Sequence, residues 1–188
     1  MQLRPLLLSD EEAVRSFVAS FHNAGEGSIP AFFRHPAWSH SQLVEIHEGW
    51  SEGIDRSPPD ARLFDDAVPC TTRFLVEEET GKLHGVVNVR HRLNAFLERF
   101  GGHIGYSVRP SSRRRGHATR LLRAGLEIAR SHGHDRVIVT CDATNLGSIR
   151  TIERCGGVLA ESFFHETMKK DVRLFWIDTG ELPNSRGS

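Results

Sequence analysis

Apolar positions along the chain follow two rhythms, one helical and one extended. Val14, Phe17, Val18 and Phe21 stand at i, i+3, i+4 and i+7, which places them on one helical face. Ser9 and Glu12 precede that face in capping-box spacing, each able to satisfy a free backbone N–H at the helix start. The helix should stop near Gly25. Leu43, Ile46 and Trp50 predict a second helix over residues 41–50. Residues 26–40 and 51–70 hold Pro30, Pro36, Pro58, Pro59 and Pro69 and read as irregular.

Extended patterns then dominate. Residues 1–8 read as an opening strand, and "TRFLVEEE" and "LHGVVNVRHRL" flank the turn "ETGK" as a hairpin. "NAFLERFGG" reads as a connector, and "HIGYSV" as a strand that Pro110 ends. Ala118, Leu121, Leu122, Gly125, Ile128 and Ala129 share one face of a helix that Gly133 closes in a left-handed cap. "RVIVTCD" is a buried-type strand, and "NLGSIRTIERC" a helix with Ile149, Ile152 and Cys155 inward. "VLAESFF" and "VRLFWI" make a last strand pair. This order predicts an α+β fold, with a central sheet flanked by helices. Residues 1–178 form one domain in this reading, and 179–188 a frayed tail.

Composition narrows the function. With 24 basic and 24 acidic residues the net charge is zero, which argues against a general nucleic-acid binder. No apolar run reaches membrane-spanning length, and the N-terminus lacks the pattern of a signal peptide. Cys70, Cys141 and Cys155 are odd in number and lack C-x-x-C spacing, as reduced thiols of a cytoplasmic protein would be. The 11 histidines include none at a recognised metal-ligand spacing, so no metal is expected. His132 and His134 sit at a helix end, where they complement the dipole.

The chemistry concentrates in "RRRGHATRLL", residues 113–122. A strand ends at Val108, the chain turns, and a helix begins near Gly116. The first N–H groups of that helix have no internal partner and favour an anion. Gly116 lacks a Cβ and Ala118 has only a methyl, so a diphosphate can approach the backbone. Arginine adds paired donors for phosphate oxygens. Neither a P-loop nor a G-x-G-x-x-G fingerprint is present.

"VRPSSRRRGHATRLL" resembles the acetyl-CoA-binding motif of the GNAT family of N-acetyltransferases: Arg or Gln, two residues, Gly, one residue, Gly or Ala. Arg113, Gly116 and Ala118 fill those places. "NLGSIRTIERCGG" resembles the family's later helix, with Asn145, Ser148 and Gly156 in register. The resemblance is strongest over residues 84–160. It implies a mostly antiparallel mixed sheet whose fourth and fifth strands splay apart, with the pantetheine arm of acetyl-CoA in the gap. Tyr106, Ser107 and Val108 would line the arm. The pyrophosphate would rest on N–H groups from Arg114, Gly116, His117, Ala118 and Thr119, and Asn145 and Ser148 would face the distal pantetheine. The implied reaction is direct attack of a primary amine, on a small molecule or a peptide, in a ternary complex. A monomer or homodimer without nucleic-acid or membrane partners fits this reading.

The pattern departs from the family at one catalytic place. Many members carry a tyrosine seven residues after the helix asparagine, where it protonates the departing thiolate. Here that residue is Ile152, and Tyr106 is the chain's single tyrosine, so no substitute is evident from sequence. This keeps open a cofactor-binding sensor without catalysis, and more remotely nucleic-acid binding through Arg113–Arg115. His103 lies in the region where some members place a base, and Asp142 ends the fifth strand, where it could orient a water or bind the substrate ammonium. His103 could equally be a histidine satisfied by a backbone hydrogen bond. Phe32, Phe33, Trp38 and Trp50 fall where the family builds its acceptor pocket, although core packing explains them as well.

Overall fold

A computed structural model describes residues 1–26, 38–58, 68–166 and 168–180. In chain order they form β1 (Gln2–Arg4), α1 (Glu11–Asn23), α2 (His40–Ser51), β2 (Cys70–Val76), β3 (Leu83–Arg90), α3 (Ala95–Arg99) and β4 (Ile104–Val108). Then come α4 (His117–Ser131), β5 (Arg136–Asp142), α5 (Leu146–Arg154), β6 (Val158–His165) and β7 (Lys170–Asp178). Phe32 and Phe33 lie outside the described residues, as do 181–188 of the expected tail. Thr179, by contrast, is buried, with its hydroxyl 2.6 Å from the His134 carbonyl that accepts from it.

Helix starts differ from the sequence reading in instructive ways. Pro5 has no N–H to give a ladder, and β1 stops before it. Ser9 caps nothing: Leu8–Asp10 is a 3-10 turn, and Asp10 takes the N-cap position of α1. The Asp10 carboxylate instead accepts from the Arg4 guanidinium at 2.6 and 2.7 Å and from the Leu7 N–H at 2.8 Å. The true capping box opens α2. There the Gln42 N–H donates to Ser39 Oγ at 3.2 Å and the Ser39 N–H to Gln42 Oε1 at 2.9 Å. The supposed connector holds α3, nucleated by Asn94, whose side-chain oxygen accepts from the Leu97 N–H at 2.9 Å.

The strands form two antiparallel sheets, β1-β2-β3-β4 and β5-β7-β6. In the first, β3 is central and buried on both faces, which explains its nearly unbroken apolar run. Its buried amide, Asn88, donates to Thr72 Oγ1 at 3.0 Å. One face packs against α4 and α5 through Val87, Val89, Ile104, Leu121, Leu126 and Ile152. The other carries α1 and α2 through Phe17, Phe21, Leu43, Phe74 and Val86. Each such side chain contributes about 1.5–3 kcal/mol on burial. Gly125 lets α4 lie close to the sheet: a Cβ there would sit 2.9 Å from an Ile104 methyl. That approach sets the start of α4 above the end of β4.

Candidate functional site

No ladder joins β4 to β5, and the two sheets touch where residues 101–103 meet β5. The His103 N–H donates to the Ile138 carbonyl at 2.8 Å, and the Ile138 N–H donates back to His103 Nδ1 at 2.9 Å. The Gly101 N–H donates to Thr140 Oγ1 at 2.8 Å. Gly102 has φ +60°, and a Cβ on it would fall 2.4 Å from the Ile138 carbonyl oxygen. Arg90 braces this turn by donating to the carbonyls of Gly101 and Gly102 at 3.1 and 2.9 Å. Beyond His103, residues 104–108 pair with β3 alone. The other edge of β4 therefore offers backbone donors and acceptors to an extended ligand.

His103 is the clasp of this closed end. With Nδ1 accepting from a backbone N–H, the neutral ring carries its proton on Nε2. Burial, with His134 and Arg90 adding positive charge nearby, pushes its pKa down to about 4. The His134 ring meets it edge-on at 4.9 Å.

A cradle forms beyond the end of β4. After the 3-10 turn Pro110–Ser112, Arg113 is extended, Arg114 is left-handed (φ 64°) and Gly116 is left-handed (φ 79°) as the N-cap of the 15-residue α4. Left-handed residues beside a helix start turn successive N–H groups toward one point and make a nest for an anion. A Cβ on Gly116 would meet nothing within 4 Å, so the approach is open. A non-glycine residue in the left-handed region costs about 1–2 kcal/mol, a strain Arg114 carries. Behind the cradle, His117 and His84 face each other at 5.4 Å. His84 Nδ1 bonds Ser112 Oγ at 2.8 Å, while Nε2 of each ring is buried without a hydrogen-bond partner. Burial lowers the pKa of both.

The motif arginine is occupied. Arg113 donates to both carboxylate oxygens of Glu26, at 2.5 and 2.8 Å, and through Nε to the Val108 carbonyl at 3.2 Å. The arginine hydrogen bonds hold the Glu26 carboxyl below its usual pKa. From Gly116 and Thr119 a groove of about 540 Å³ runs along α4, lined also by Arg120, Arg123 and Arg154. Ala118 turns inward and packs against the core.

Around the open end of the gap, Asn145 caps α5 by accepting from the Ser148 N–H at 3.0 Å. Tyr106 on β4 reaches across to α5, with Oη 2.8 Å from Ser148 Oγ. Burial raises the phenol above its ordinary pKa. Cys141, on β5, has its thiol pushed up to about 11, chiefly by burial. The Asp142 carboxylate, partly exposed, accepts from Lys170 Nζ at 2.9 Å. Ser107 pairs with Val86 and is partly exposed, while Val108 is buried. Ile152 is fully buried in the core. Trp38 and Trp50 pack edge-to-face at 6.1 Å, with Trp50 in a cluster with Ile46 and Cys70. Among the described residues no three His, Cys, Asp or Glu side chains are grouped to hold a metal ion.

The structure thus brings Tyr106, Asn145 and Ser148 together, and separately gathers Arg114, Gly116, His117 and Thr119. His103 sits apart from the cradle. Three contributors escaped the sequence reading. Glu26 is 87 residues from Arg113 and His84 is 28 from Ser112, separations that no local pattern reports. Gly102 did leave a trace, in the Gly101–Gly102 pair just before a strand.

Known proteins share this fold and sequence pattern. The sequence profile of the acetyltransferase (GNAT) family matches residues 40–157. No curated protein matches. Among solved structures, a ribosomal-protein-S5-alanine acetyltransferase from Vibrio fischeri superposes with TM-score 0.67 at 14% identity, over 97% of this chain and 95% of that one. A spermidine N-acetyltransferase from Vibrio cholerae gives 0.61 at 18%, over 98% of both chains. yncA from Salmonella typhimurium, a candidate acetyltransferase solved with its cofactor acetyl-CoA, gives 0.61 at 14%, over 100% and 98%. At such identities the likeness is one of fold. The profile spans well over half the chain and settles the family: the chain is a GNAT acetyltransferase that uses acetyl-CoA.

Proposed function

We propose that this acetyltransferase moves the acetyl group onto a primary amine of a small molecule or peptide, by direct attack in a ternary complex. The observation that carries this reading is the gap itself, closed at His103, open beyond it, and leading to the left-handed nest at Gly116. An extended arm ending in a diphosphate fits that path. The free edge of β4 at Tyr106, Ser107 and Val108 would pair with its amides. N–H groups of Arg114, Gly116, His117, Ala118 and Thr119 would hold the pyrophosphate, and Arg120, Arg123 and Arg154 would face the remaining phosphate. Acetyl-CoA supplies an activated thioester carbonyl when bound. The protein contributes position, exclusion of water and donors aimed at developing charge.

A protonated amine must lose a proton before it attacks. Of the two candidates named from sequence, we assign Asp142 to this task, through the amine or an intervening water, because it lies at the end of β5 and is partly exposed. We assign His103 to the clasp, since Nδ1 of its neutral ring is engaged and Nε2 carries the proton. The V. cholerae and V. fischeri proteins are named for a polyamine and a ribosomal protein, which marks those two amine classes for testing here.

The test is free-thiol release from acetyl-CoA across amines, polyamines, amino acids, aminoglycosides and peptides, with a thermal-shift control. Saturating acetyl-CoA should raise Tm, and one amine class should accelerate thiol release. Asp142→Asn should lower that rate. Thiol release that no amine accelerates would overturn the amine-transfer reading.

A further inference from the structure

We propose that Arg90 is the anion anchor of the acceptor site, and that the acceptor is an amine carrying a carboxylate a few bonds from its nitrogen, as a free amino acid does. The proposal rests on the amine-transfer reading and narrows the acceptor within it. Side-chain parity puts the relevant groups on one face. Val87 and Val89 of β3, Ile104 and Tyr106 of β4, and Val139 and Cys141 of β5 all pack into the core that holds α4 and α5. Successive strand residues point to opposite faces. Asn88 and Arg90, Gly105 and Ser107, and Thr140 and Asp142 therefore turn to the other face. A Cβ on Gly105 would stand 3.7 Å from both Nη1 and Nη2 of Arg90, as that parity requires.

The place along the gap is also fixed. An arm that runs from the nest at Gly116 past Val108 and Tyr106 ends against the closure at His103. Its reactive end is then level with Gly105, over which the Arg90 guanidinium lies. Gly101 links Arg90 to β5. Its carbonyl accepts from Arg90, and its N–H donates to Thr140 Oγ1, two residues before Asp142.

Charge singles out Arg90 on this face. Arg99 gives both terminal nitrogens to Glu161, at 2.8 and 2.9 Å, and Lys170 Nζ donates to Asp142 at 2.9 Å. Arg90 is half-buried and has no carboxylate partner among the described residues. Its Nη1 serves two neutral carbonyls, those of Gly101 and Gly102. Burial pulls its pKa below the ordinary arginine value, opposed by Cys70, its cross-strand neighbour on β2. An arginine nonetheless stays charged in a protein. A cation held there without a counter-ion is costly, and an incoming anion offsets that cost.

The unused part of the guanidinium has a definite shape. Nε and Nη2 lie on one side of the group and present two parallel N–H donors, without a partner among the described residues. Such a fork matches the two oxygens of a carboxylate. Asp142, partly exposed on the same face, is the place for the ammonium end. An anion site and a cation site on either side of the thioester's place select a zwitterion. A polyamine would set a second positive charge against Arg90 and be rejected.

The experiment compares matched acceptors by thiol release and by calorimetric titration onto the protein with CoA bound. The set is free amino acids, their carboxamides, their decarboxylated amines, polyamines, and peptides that begin with Asp or Glu. In wild type the best carboxylate-bearing amine should exceed its own uncharged analogue in kcat/KM by about 10- to 100-fold, the worth of a hydrogen bond between charged groups, and should bind more tightly by a similar factor. A lead among free amino acids or among the acidic peptides supports the proposal and tells which source supplies the carboxylate. Arg90→Lys keeps a charge and a donor for the Gly101 and Gly102 carbonyls but loses the fork. It should raise KM for the carboxylate acceptor about tenfold, leave kcat within a few-fold, and leave the carboxamide and acetyl-CoA affinity unmoved. Arg90→Gln should abolish the preference for a carboxylate. Wild type that treats acid and carboxamide alike, or favours a polyamine, overturns the inference without any variant. So does a kcat loss in Arg90→Lys that is equal for every acceptor, which makes Arg90 a brace of the closed end alone. If no amine in the set speeds thiol release, the amine-transfer reading falls and this inference with it.

Discussion

The two ends of the gap between β4 and β5 are built from different materials. The closed end brings the backbone of residues 101–103 directly onto β5, with Gly102 pressed on the Ile138 carbonyl, the His103 N–H donating to that carbonyl and the Ile138 N–H donating back to the His103 ring. At the open end the bridge is made by one side chain, Tyr106 of β4, whose hydroxyl reaches Ser148 of α5. Backbone contacts fix geometry and tolerate little change. Side-chain bridges can be rearranged by a ligand. The difference teaches that substitutions at the closed end should be read in stability, and those at the open end in binding and turnover.

The sharpest way to break this division is Gly102→Ala. An alanine at φ +60° is strained, and its methyl would overlap the Ile138 carbonyl oxygen. Strain and displacement together should cost about 3 kcal/mol, a fall in Tm of about 6–12 °C for a chain of this size. A variant with normal Tm by calorimetry would show that the closed end yields, and the comparison would fail.

His103→Ala should cost somewhat less, about 1–3 kcal/mol, for leaving the buried Ile138 N–H without its acceptor. His103→Asn places a carbonyl oxygen near Nδ1 and should recover part of that loss. The burial of this ring sets a pH dependence. The folded-state pKa of His103 is pushed down to about 4, that of His91 also to about 4, and that of His47 to about 3. Each unfolded imidazole titrates near ~6.5. Between these values the unfolded chain binds more protons, so stability present above about pH 6.5 is lost as pH falls toward 4. Thermal melts from pH 7 to 4.5 should show Tm falling, less steeply in His103→Asn. A flat profile would remove His103 from the clasp and return it to the catalytic candidates.

What was legible in the sequence divides along the same line. The cradle could be read because its parts are contiguous: a glycine without a Cβ, an alanine, and an amphipathic helix within ten residues. The splay was reached through resemblance rather than from strand patterning, because nothing in "HIGYSV" or "RVIVTCD" states that the two strands will not pair. The Tyr106–Ser148 bridge joins residues 42 apart whose meeting depends on how α5 packs. Ser9 looked like a cap because serine commonly is one, but the part-buried Arg4–Asp10 pair moved the helix start. Local propensity lost there to a tertiary ion pair.

Gly116→Ala probes the cradle and should reverse the balance seen at Gly102. Both glycines are left-handed, but the methyl at 116 would enter open space. Only the backbone strain remains, about 1–2 kcal/mol, or some 2–8 °C in Tm. The methyl would, however, stand where the diphosphate approaches the nest. Acetyl-CoA affinity, read by calorimetric titration, should fall about tenfold or more, the loss of one charge-assisted hydrogen bond. Unchanged affinity would place the diphosphate elsewhere than on this turn.

The smallest effect belongs to Glu26→Gln. Glu26 follows the C-terminal turn of α1 and neutralises Arg113, with the pair partly exposed. Such pairs are worth about 0–1 kcal/mol, so Tm should hardly move. Glutamine keeps the shape and one acceptor but removes the negative charge beside the cradle. The uncompensated Arg113 then adds to the field that draws in a polyanion. Acetyl-CoA should bind a few-fold more tightly at low salt, and the gain should vanish as salt shortens the Debye length to about 3 Å near 1 M. Weaker binding in Glu26→Gln would mean that the pair's worth lies in shaping the 113–116 turn, making Glu26 part of the cradle. No change at any salt would leave the backbone nest and the helix N-terminus as its whole basis.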